Sequence, residues 1–293
     1  FPGRNGELWL STGDEDLHVL LRDRLERCLP SVHGVKSILA SRDGRTVWAG
    51  TKIGLFACTN SATRNFSPLA GFPRTNDVRA LTESADGVLW AGGGDGVLYR
   101  VTTNGVESMN PKVGGSRYPI WSLLADADGT IWAGTFRGGL LRYRNGKFDR
   151  FSISNGLPDN IVSQLLSDDK GNLWVGSHQG IFRVARTDIE ACAAGKSASI
   201  ATTAYGRLDG LPTLECSGQY QPAGWRAHDG RLWFSTVSGA VSIQPDEAVP
   251  NLRPPPVVVE DVLVDDVAQR FTTLDSPGGP VLEIPPGNRQ FEF

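Results

Sequence analysis

Six copies of one short pattern, each centred on a tryptophan, constrain this chain more than any other feature. They run Asn5-Gly6-Glu7-Leu8-Trp9-Leu10-Ser11, Asp43-Gly44-Arg45-Thr46-Val47-Trp48-Ala49-Gly50 and Asp86-Gly87-Val88-Leu89-Trp90-Ala91-Gly92. Then come Asp128-Gly129-Thr130-Ile131-Trp132-Ala133-Gly134, Lys170-Gly171-Asn172-Leu173-Trp174-Val175-Gly176 and Asp229-Gly230-Arg231-Leu232-Trp233-Phe234-Ser235. The tryptophans at 9, 48, 90, 132, 174 and 233 are separated by 39, 42, 42, 42 and 59 residues. No stretch sustains a helical spacing of apolar residues, so helical repeats are excluded. A period of roughly 40 residues with strand and turn signals in every copy predicts a β-propeller.

The copy at Asp126–Tyr143 shows why each unit is a small sheet. Thr130–Gly134 and Leu140–Tyr143 read as strands joined by a tight turn through Phe136–Gly139, and Asp128-Gly129 is a hairpin-type turn signal. Ile131 and Ala133 point to one face, Trp132 and Gly134 to the other. Both faces are apolar or small, as in a sheet stacked between two others. Adding Ile120–Leu124 before and Lys147–Ser152 after gives a four-stranded antiparallel meander, A to D, with A innermost. In such a blade the B–C turns and D–A connections share one face of the disc, and the A–B and C–D turns share the other.

In chain order, Phe1–Pro30 supplies strands B, C and D of a first blade without its strand A. Residues 31–72, 73–114, 115–156 and 157–186 carry four more, 187–216 reads as an insertion with room for one short helix, and Gln219–Ile243 supplies strands A, B and C of a last blade. The propeller is thus expected over 1–250. Asn251-Leu252-Arg253-Pro254-Pro255-Pro256 reads as a stiff linker over 251–256. From 257 to 293 a second β-domain begins, with Val257–Val264 alternating as a strand should, and is cut off. Because the chain starts at Phe1 inside a repeat, it reads as a piece of a longer protein, and the lack of a visible signal peptide says little.

A net charge of −3 with mixed signs supplies no basic field for nucleic acid or an anionic membrane. No run of 18 apolar residues exists to span a bilayer. The four cysteines, Cys28, Cys58, Cys192 and Cys216, lack C-x-x-C spacing, which argues against zinc. Cys192 and Cys216 flank the insertion and either staple it in an oxidising compartment or stay separate buried thiols.

The repeat is similar to that of the two-component regulator propeller family, the sensor regions of bacterial histidine kinases. The family pattern, G-L-P-x-x-x-V followed by D-x-x-G-x-L-W-x-G-T-x-x-G-L, is best matched from Gly156-Leu157-Pro158 through Gly180-Ile181-Phe182. The last repeat also resembles the family at Asp209-Gly210-Leu211-Pro212, Glu215-Cys216-Ser217-Gly218 and Gln221-Pro222-Ala223. The triple-proline exit and Pro286-Gly287-Asn288-Arg289 resemble the start of the Ig-like triple-tyrosine (Y_Y_Y) domain. Gly92-Gly93-Gly94-Asp95 departs from the usual Gly-Thr, and Asp43–Trp48 carries one extra residue. Family discs often have seven blades, so either a blade lies upstream of Phe1 or this disc is smaller. The resemblance implies an all-β propeller, followed by the start of a β-sandwich, in the periplasmic part of an inner-membrane receptor. It implies no enzymatic activity and no cofactor in this region, a small-molecule ligand such as an oligosaccharide, a homodimeric receptor and signal relay to an output module. A propeller lyase or hydrolase acting on polysaccharide, and a protein-interaction scaffold, are the alternatives.

The repeated tryptophans are expected to pack between blades rather than to stack sugars. The Asp/Gly pairs lack calcium-loop spacing and read as turns. Asp14-Glu15-Asp16 reads as solvated surface, and His18, His33, His178 and His228 show no metal-ligand spacing. Gly93-Gly94, Gly114-Gly115 and Gly138-Gly139 open no helix and also read as turns. What remains is the face of D–A connections and B–C turns. Its candidate ligand contacts are His33, Lys52, Arg74, Asn76, Arg117, Tyr118, Phe136, Arg137, Asn160, His178, Gln179, Gln219 and Tyr220. Trp121 joins them on the channel-facing strand A, and Trp225 holds a similar place in the last blade. Arg, Asn, Gln and a few rings are the groups that hold a polar small molecule.

Overall fold

The computed structural model describes residues 1–3, 6–11, 17–28, 34–59, 64–74, 76–111, 115–248, 262–265, 267–269 and 291–292. His33, the cluster Asp14-Glu15-Asp16 and the proline-rich 251–256 lie outside the described residues. Two units are present, Phe1–Ala248 and Val249–Phe293.

The first unit is a ring of six antiparallel sheets, four of them four-stranded and two three-stranded. Blade 1 holds β1 (Leu8–Ser11), β2 (Leu17–Leu21) and β3 (Arg24–Cys28). Blade 2 holds β4 (Val35–Ala40), β5 (Val47–Thr51), β6 (Gly54–Cys58) and β7 (Ser67–Pro68). Blade 3 holds β8 (Val78–Glu83), β9 (Leu89–Gly93), β10 (Leu98–Thr102) and β11 (Gly105–Met109). Blade 4 holds β12 (Ile120–Ala125), β13 (Ile131–Thr135), β14 (Leu140–Arg144) and β15 (Lys147–Phe151). Blade 5 holds β16 (Val162–Ser167), β17 (Asn172–Ser177), β18 (Gly180–Ala185) and, after helix α1 (Arg186–Ala193), β19 (Thr202–Tyr205). Blade 6 holds β20 (Gly224–Arg226), β21 (Leu232–Thr236) and β22 (Gly239–Ile243). Phe1 meets Trp225 of blade 6 edge-on, ring centroids 6.0 Å apart, where first and last blades come together.

The repeat pattern has a direct physical reading in blade 4. Asp126 closes the A–B hairpin, its N–H donating to Thr130 O at 2.9 Å. Asp128 Oδ1 accepts the Thr130 N–H at 3.0 Å, and Gly129 takes the left-handed φ of +83° that this turn needs. Trp132 then donates its indole N–H to Asp126 Oδ2 at 2.7 Å, so the tryptophan is pinned to the turn that precedes it. Trp174 and Asp168 repeat the bond at 2.8 Å, and Trp90 uses Ser84 Oγ at 3.2 Å.

The glycine two residues after the tryptophan sets the spacing between blades. A Cβ on Gly134 would lie 2.4 Å from Val162 Cγ1 of the next blade, and one on Gly92 would lie 2.4 Å from Ile120 Cγ2. Gly50 meets Val78 in the same way at 2.7 Å. Thus the first residue of β8, β12 and β16 fills the hollow left by the preceding blade's missing side chain. Across the blade 2–3 seam Ser37 Oγ donates to Val78 O at 3.3 Å.

Two expectations are corrected. Residues 187–216 are not wholly an insertion outside a finished blade, because Thr202–Tyr205 pairs with β18 as the outer strand of blade 5. Helix α1 is the interruption, and its Arg186 grips Asp126 with two bonds of 2.8 and 2.7 Å. Nor does every repeated tryptophan pack between blades. Trp174 is fully buried, whereas Trp233 is 41% exposed on the last blade.

All four cysteines are free thiols. In the second unit β23 (Val262–Val264) pairs antiparallel with β24 (Val267–Gln269) and β25 (Phe291–Glu292). A second sheet that would make a sandwich is not among the described residues.

Two outcomes follow. Gly134→Ala should destabilise the ring by about 2 kcal/mol through overpacking, read as a lower urea midpoint at unchanged m-value. The second concerns Asp168. Burial raises its pKa, but hydrogen bonds from Asn172, the Trp174 indole and the backbone outweigh this and hold it below the usual carboxylate range. Its stabilisation is therefore present above about pH 4, the unfolded value, and lost as pH falls through the lower folded value. Asp168→Asn should shrink the acid-induced loss of stability in that window, measured by urea unfolding at stepped pH.

Candidate functional site

The channel mouth is built by one irregularity repeated around the ring. In β4, β8, β12 and β16 the register shifts after the first residue, so Lys36, Arg79, Trp121 and Ser163 are bulged out of the ladder. Bulges re-aim a side chain and recur beside active sites. In blade 6 the same irregularity is larger. Cys216 bridges Thr236 as Val162 pairs with Ser177, and the strand resumes where Ser235 N–H donates to Ala223 O at 2.9 Å. Ser217–Pro222 therefore stands where the other blades have one residue.

That expanded bulge crosses the channel. Gln221 N–H donates to Lys36 O of blade 2 at 2.8 Å. The Gln221 side chain serves both backbone groups of Leu81 in blade 3: Nε2 donates to its carbonyl at 2.7 Å, and Oε1 accepts its N–H. Lys36 Nζ donates to the Tyr220 hydroxyl at 2.9 Å and lies 4.1 Å from that ring's centroid. Gly218 packs on Trp121 of blade 4, where a Cβ would come within 2.4 Å of Cε3. One loop thus ties its own blade to blades 2, 3 and 4.

The predicted contacts divide into three groups. Trp121, Phe136, Arg137 and His178 are brought together: Phe136 stacks on Trp121 at 4.5 Å and 21°, Arg137 lies 4.9 Å from the Phe136 ring, and His178 is 6.2 Å from Trp121. Trp121 itself is only 4% exposed, with its indole N–H unpartnered among the described residues. Gln219 and Tyr220 stand exposed on the crossing loop, Gln219 with a left-handed φ of +72°.

Other candidates are absorbed in holding the loops. Asn76 donates to Asp95 Oδ2 at 2.8 Å and to the Tyr99 hydroxyl. Asn160 accepts the Ile153 N–H at 3.0 Å through Oδ1, and Tyr118 lies under Arg150 at 5.1 Å. Arg117 is exposed and donates to Asn110 Oδ1 at 3.2 Å. Arg74, Lys52 and Gln179 are exposed on the same face. Sequence reasoning missed Lys36, Arg79 and Gln221. The first two become conspicuous only once the bulges are seen, whereas Gln221 already stood in the Gln221-Pro222-Ala223 segment.

A cavity of about 400 Å³ opens at this mouth, lined by Phe1, Trp9, Ser11, Lys36, Tyr220 and Gln221 among others. It runs beside the inner edge of β1, where Trp9 N–H donates to Phe1 O at 2.8 Å. The other five blades hold an inner strand in the corresponding place. Its polar wall is Lys36, Tyr220 and Gln221.

Comparison with known proteins falls in line with this geometry. Residues 114–137 and 156–179 match the family model described as two component regulator propeller. Both stretches are similar to that family's repeat. Among solved structures the chain resembles the extracellular domain of a hybrid two component system from B. thetaiotaomicron, at 18% identity and a TM-score of 0.68. That likeness covers 96% of this chain and 38% of the other, so the chain spans well under half of that domain. A streptogramin B lyase is similar at 17% identity and a TM-score of 0.61, covering 84% of this chain and 78% of the lyase. The virginiamycin B lyase of Staphylococcus aureus gives 19%, 0.51, 85% and 75%. These likenesses speak to fold. No curated protein sequence matches the chain. No helix among the described residues is long and apolar enough to cross a membrane.

The regulator propeller repeats leave the crossing loop as the mouth's main support. Gln221→Leu should strip Leu81 of both partners and lower stability by about 2 kcal/mol, read as a reduced urea midpoint with the β-sheet circular dichroism spectrum retained.

Proposed function

We propose that this propeller is the extracytoplasmic ligand-sensing part of a two-component signalling protein, binding a polar small molecule of the oligosaccharide class at the channel mouth. The observation that carries the reading is the expanded bulge of blade 6. A ligand touching the exposed Tyr220 and its Lys36 partner bears on a loop that is hydrogen-bonded to blades 2 and 3 and packed on blade 4. Occupancy at one point therefore acts on several blades at once, which is the mechanical requirement of a sensor. Signalling follows if the ligand binds one arrangement of the receptor better than another, the shift being limited by that difference in affinity. The repeat match and the likeness to a hybrid two component system's extracellular domain support the same placement.

The lyase likenesses keep an enzymatic reading in the test, with His178 beside Trp121 as the candidate acid or base. A panel of neutral and acidic oligosaccharides should include one that raises the melting temperature by about 5 °C at roughly 100-fold excess over its Kd. Lys36→Ala and Tyr220→Ala should abolish that rise without altering the unliganded melting temperature by more than a few degrees. A panel with no stabilising member would remove the sensor reading. Turnover of a panel member that stops in His178→Ala would replace it with the enzymatic one.

A further inference from the structure

The largest cavity among those found lies away from the mouth, on the face of A–B and C–D turns, in the seam between blades 2 and 3. It measures about 830 Å³, within the range of small-molecule sites. Trp48 forms part of its wall, over Leu69, Leu89 and Val101.

This opening goes with two departures from the repeat, both at positions that cover the tryptophan in blades 3, 4 and 5. First, the A–B turn of blade 2 carries one extra residue, so that Ser41 N–H donates to Thr46 O where Asp126 N–H donates to Thr130 O. Ser41 Oγ accordingly accepts the Thr46 N–H at 2.9 Å, and the Trp48 indole N–H has no protein acceptor among the described residues. In blades 3, 4 and 5 that N–H is bonded to Ser84, Asp126 and Asp168. Second, the cross-strand partner of Trp48 is Ala57, where Trp90, Trp132 and Trp174 face Arg100, Arg142 and Arg183. Arg100 and Arg183 lie 6.0 and 5.6 Å from their indoles. The next blade offers Val101, as blade 5 offers Val184 beside Trp132, and so lacks the ring that Tyr143 lays on Trp90 at 5.4 Å. Trp48 is left half-buried, with solvent access from the seam.

We propose that this seam is a second binding site and that it takes a neutral saccharide unit. The ligand class follows from the wall. One accessible indole is a platform for the C–H face of a sugar ring, whereas a quaternary ammonium asks for a cage of several rings. Asp43, Glu83 and Asp86 against Arg42 disfavour an anion. Glu83 Oε2 accepts the Arg42 N–H and Asp86 Oδ1 accepts the Ser84 hydroxyl. The second oxygens of Glu83 and Asp86 make no hydrogen bond among the described residues and are available to sugar hydroxyls. Thr46, Thr102 and Thr103 add hydroxyls at the rim. The site stands on geometry separate from the channel mouth and does not rest on the sensing role proposed there.

The experiment uses the 293-residue chain with neutral tetrasaccharides (cello-, malto-, xylo-, manno- and chito-), and choline chloride as the cationic probe, in calorimetric titrations. At least one neutral sugar should bind, with its Kd weakened tenfold or more by Ala57→Arg or Val101→Tyr. Ala57→Arg installs the arginine that faces the tryptophan in blades 3, 4 and 5, and Val101→Tyr installs the ring that Tyr143 lays on Trp90. Tyr220→Ala, at the mouth, should leave that Kd within twofold. If Val101→Tyr proves poorly folded by circular dichroism, Ala57→Arg, at a partly exposed position, decides alone. The proposal is overturned if no neutral sugar binds, if choline alone binds, or if the groove variants leave the affinity unchanged. Loss in Tyr220→Ala with retention in the groove variants would also overturn it while favouring the mouth as the saccharide site.

Discussion

The structure depends on a contact that only a missing side chain permits. In blades 2, 3 and 4 the second strand carries a glycine where the following blade's first inner residue drives in, so Gly50, Gly92 and Gly134 receive Val78, Ile120 and Val162. At Gly176 the visitor is Cys216, whose Cβ lies 3.2 Å from the position a side chain would take. Burial then pushes the Cys216 thiol up to about 11 and keeps it uncharged at neutral pH. Close approach of whole sheets buries the apolar faces that flank it, and the hydrophobic gain per blade follows from that geometry rather than from any single large residue.

The tryptophan works outward from the same strand. Its indole N–H reaches back to the acidic or hydroxyl residue that opens the hairpin, which joins turn and strand in one hydrogen-bonded unit. Where that bond forms and neighbouring side chains close over it, as at Trp132 and Trp174, the ring is sealed. In blade 2 the extra turn residue diverts Ser41, and the ring is left open to a groove. Trp233, at the last blade, is open as well, and like Ala57 opposite Trp48, Ser242 faces it across the strand where blades 3, 4 and 5 have an arginine.

Most of the fold was legible because the repeat is local. Turn glycines, the paired carboxylates and the alternating strand pattern each act within a few residues, so period and strand order could be read without knowing what lies across the channel. The outer strand Thr202–Tyr205 escaped because helix α1 separates it from its blade, and no local signal says that a short polar strand pairs backward over such a gap. The site was harder for the same reason. Asn76 and Asn160 have the chemistry of ligand contacts, yet their neighbours consume it in fixing loops. Lys36 looks like an ordinary strand residue until the bulge sets it against the mouth cavity, whereas the bulged Arg79 is held by Asp77 at 2.6 Å. Phe136 and His178 were named from their B–C turns and Trp121 from its channel-facing strand, and the structure gathers them, with Trp121 more deeply covered than an open platform would be.

Ser217–Pro222 has a consequence for how such a disc can change over time. Propellers grow and shrink by copying or deleting whole repeats, which widens or narrows the axle space. Here a spoke of fixed reach spans that space, with Gln221 gripping Leu81 at one end and Cys216 anchored at the other. Adding a repeat would carry Leu81 out of range, so a lineage that keeps this spoke is held to its own number of blades.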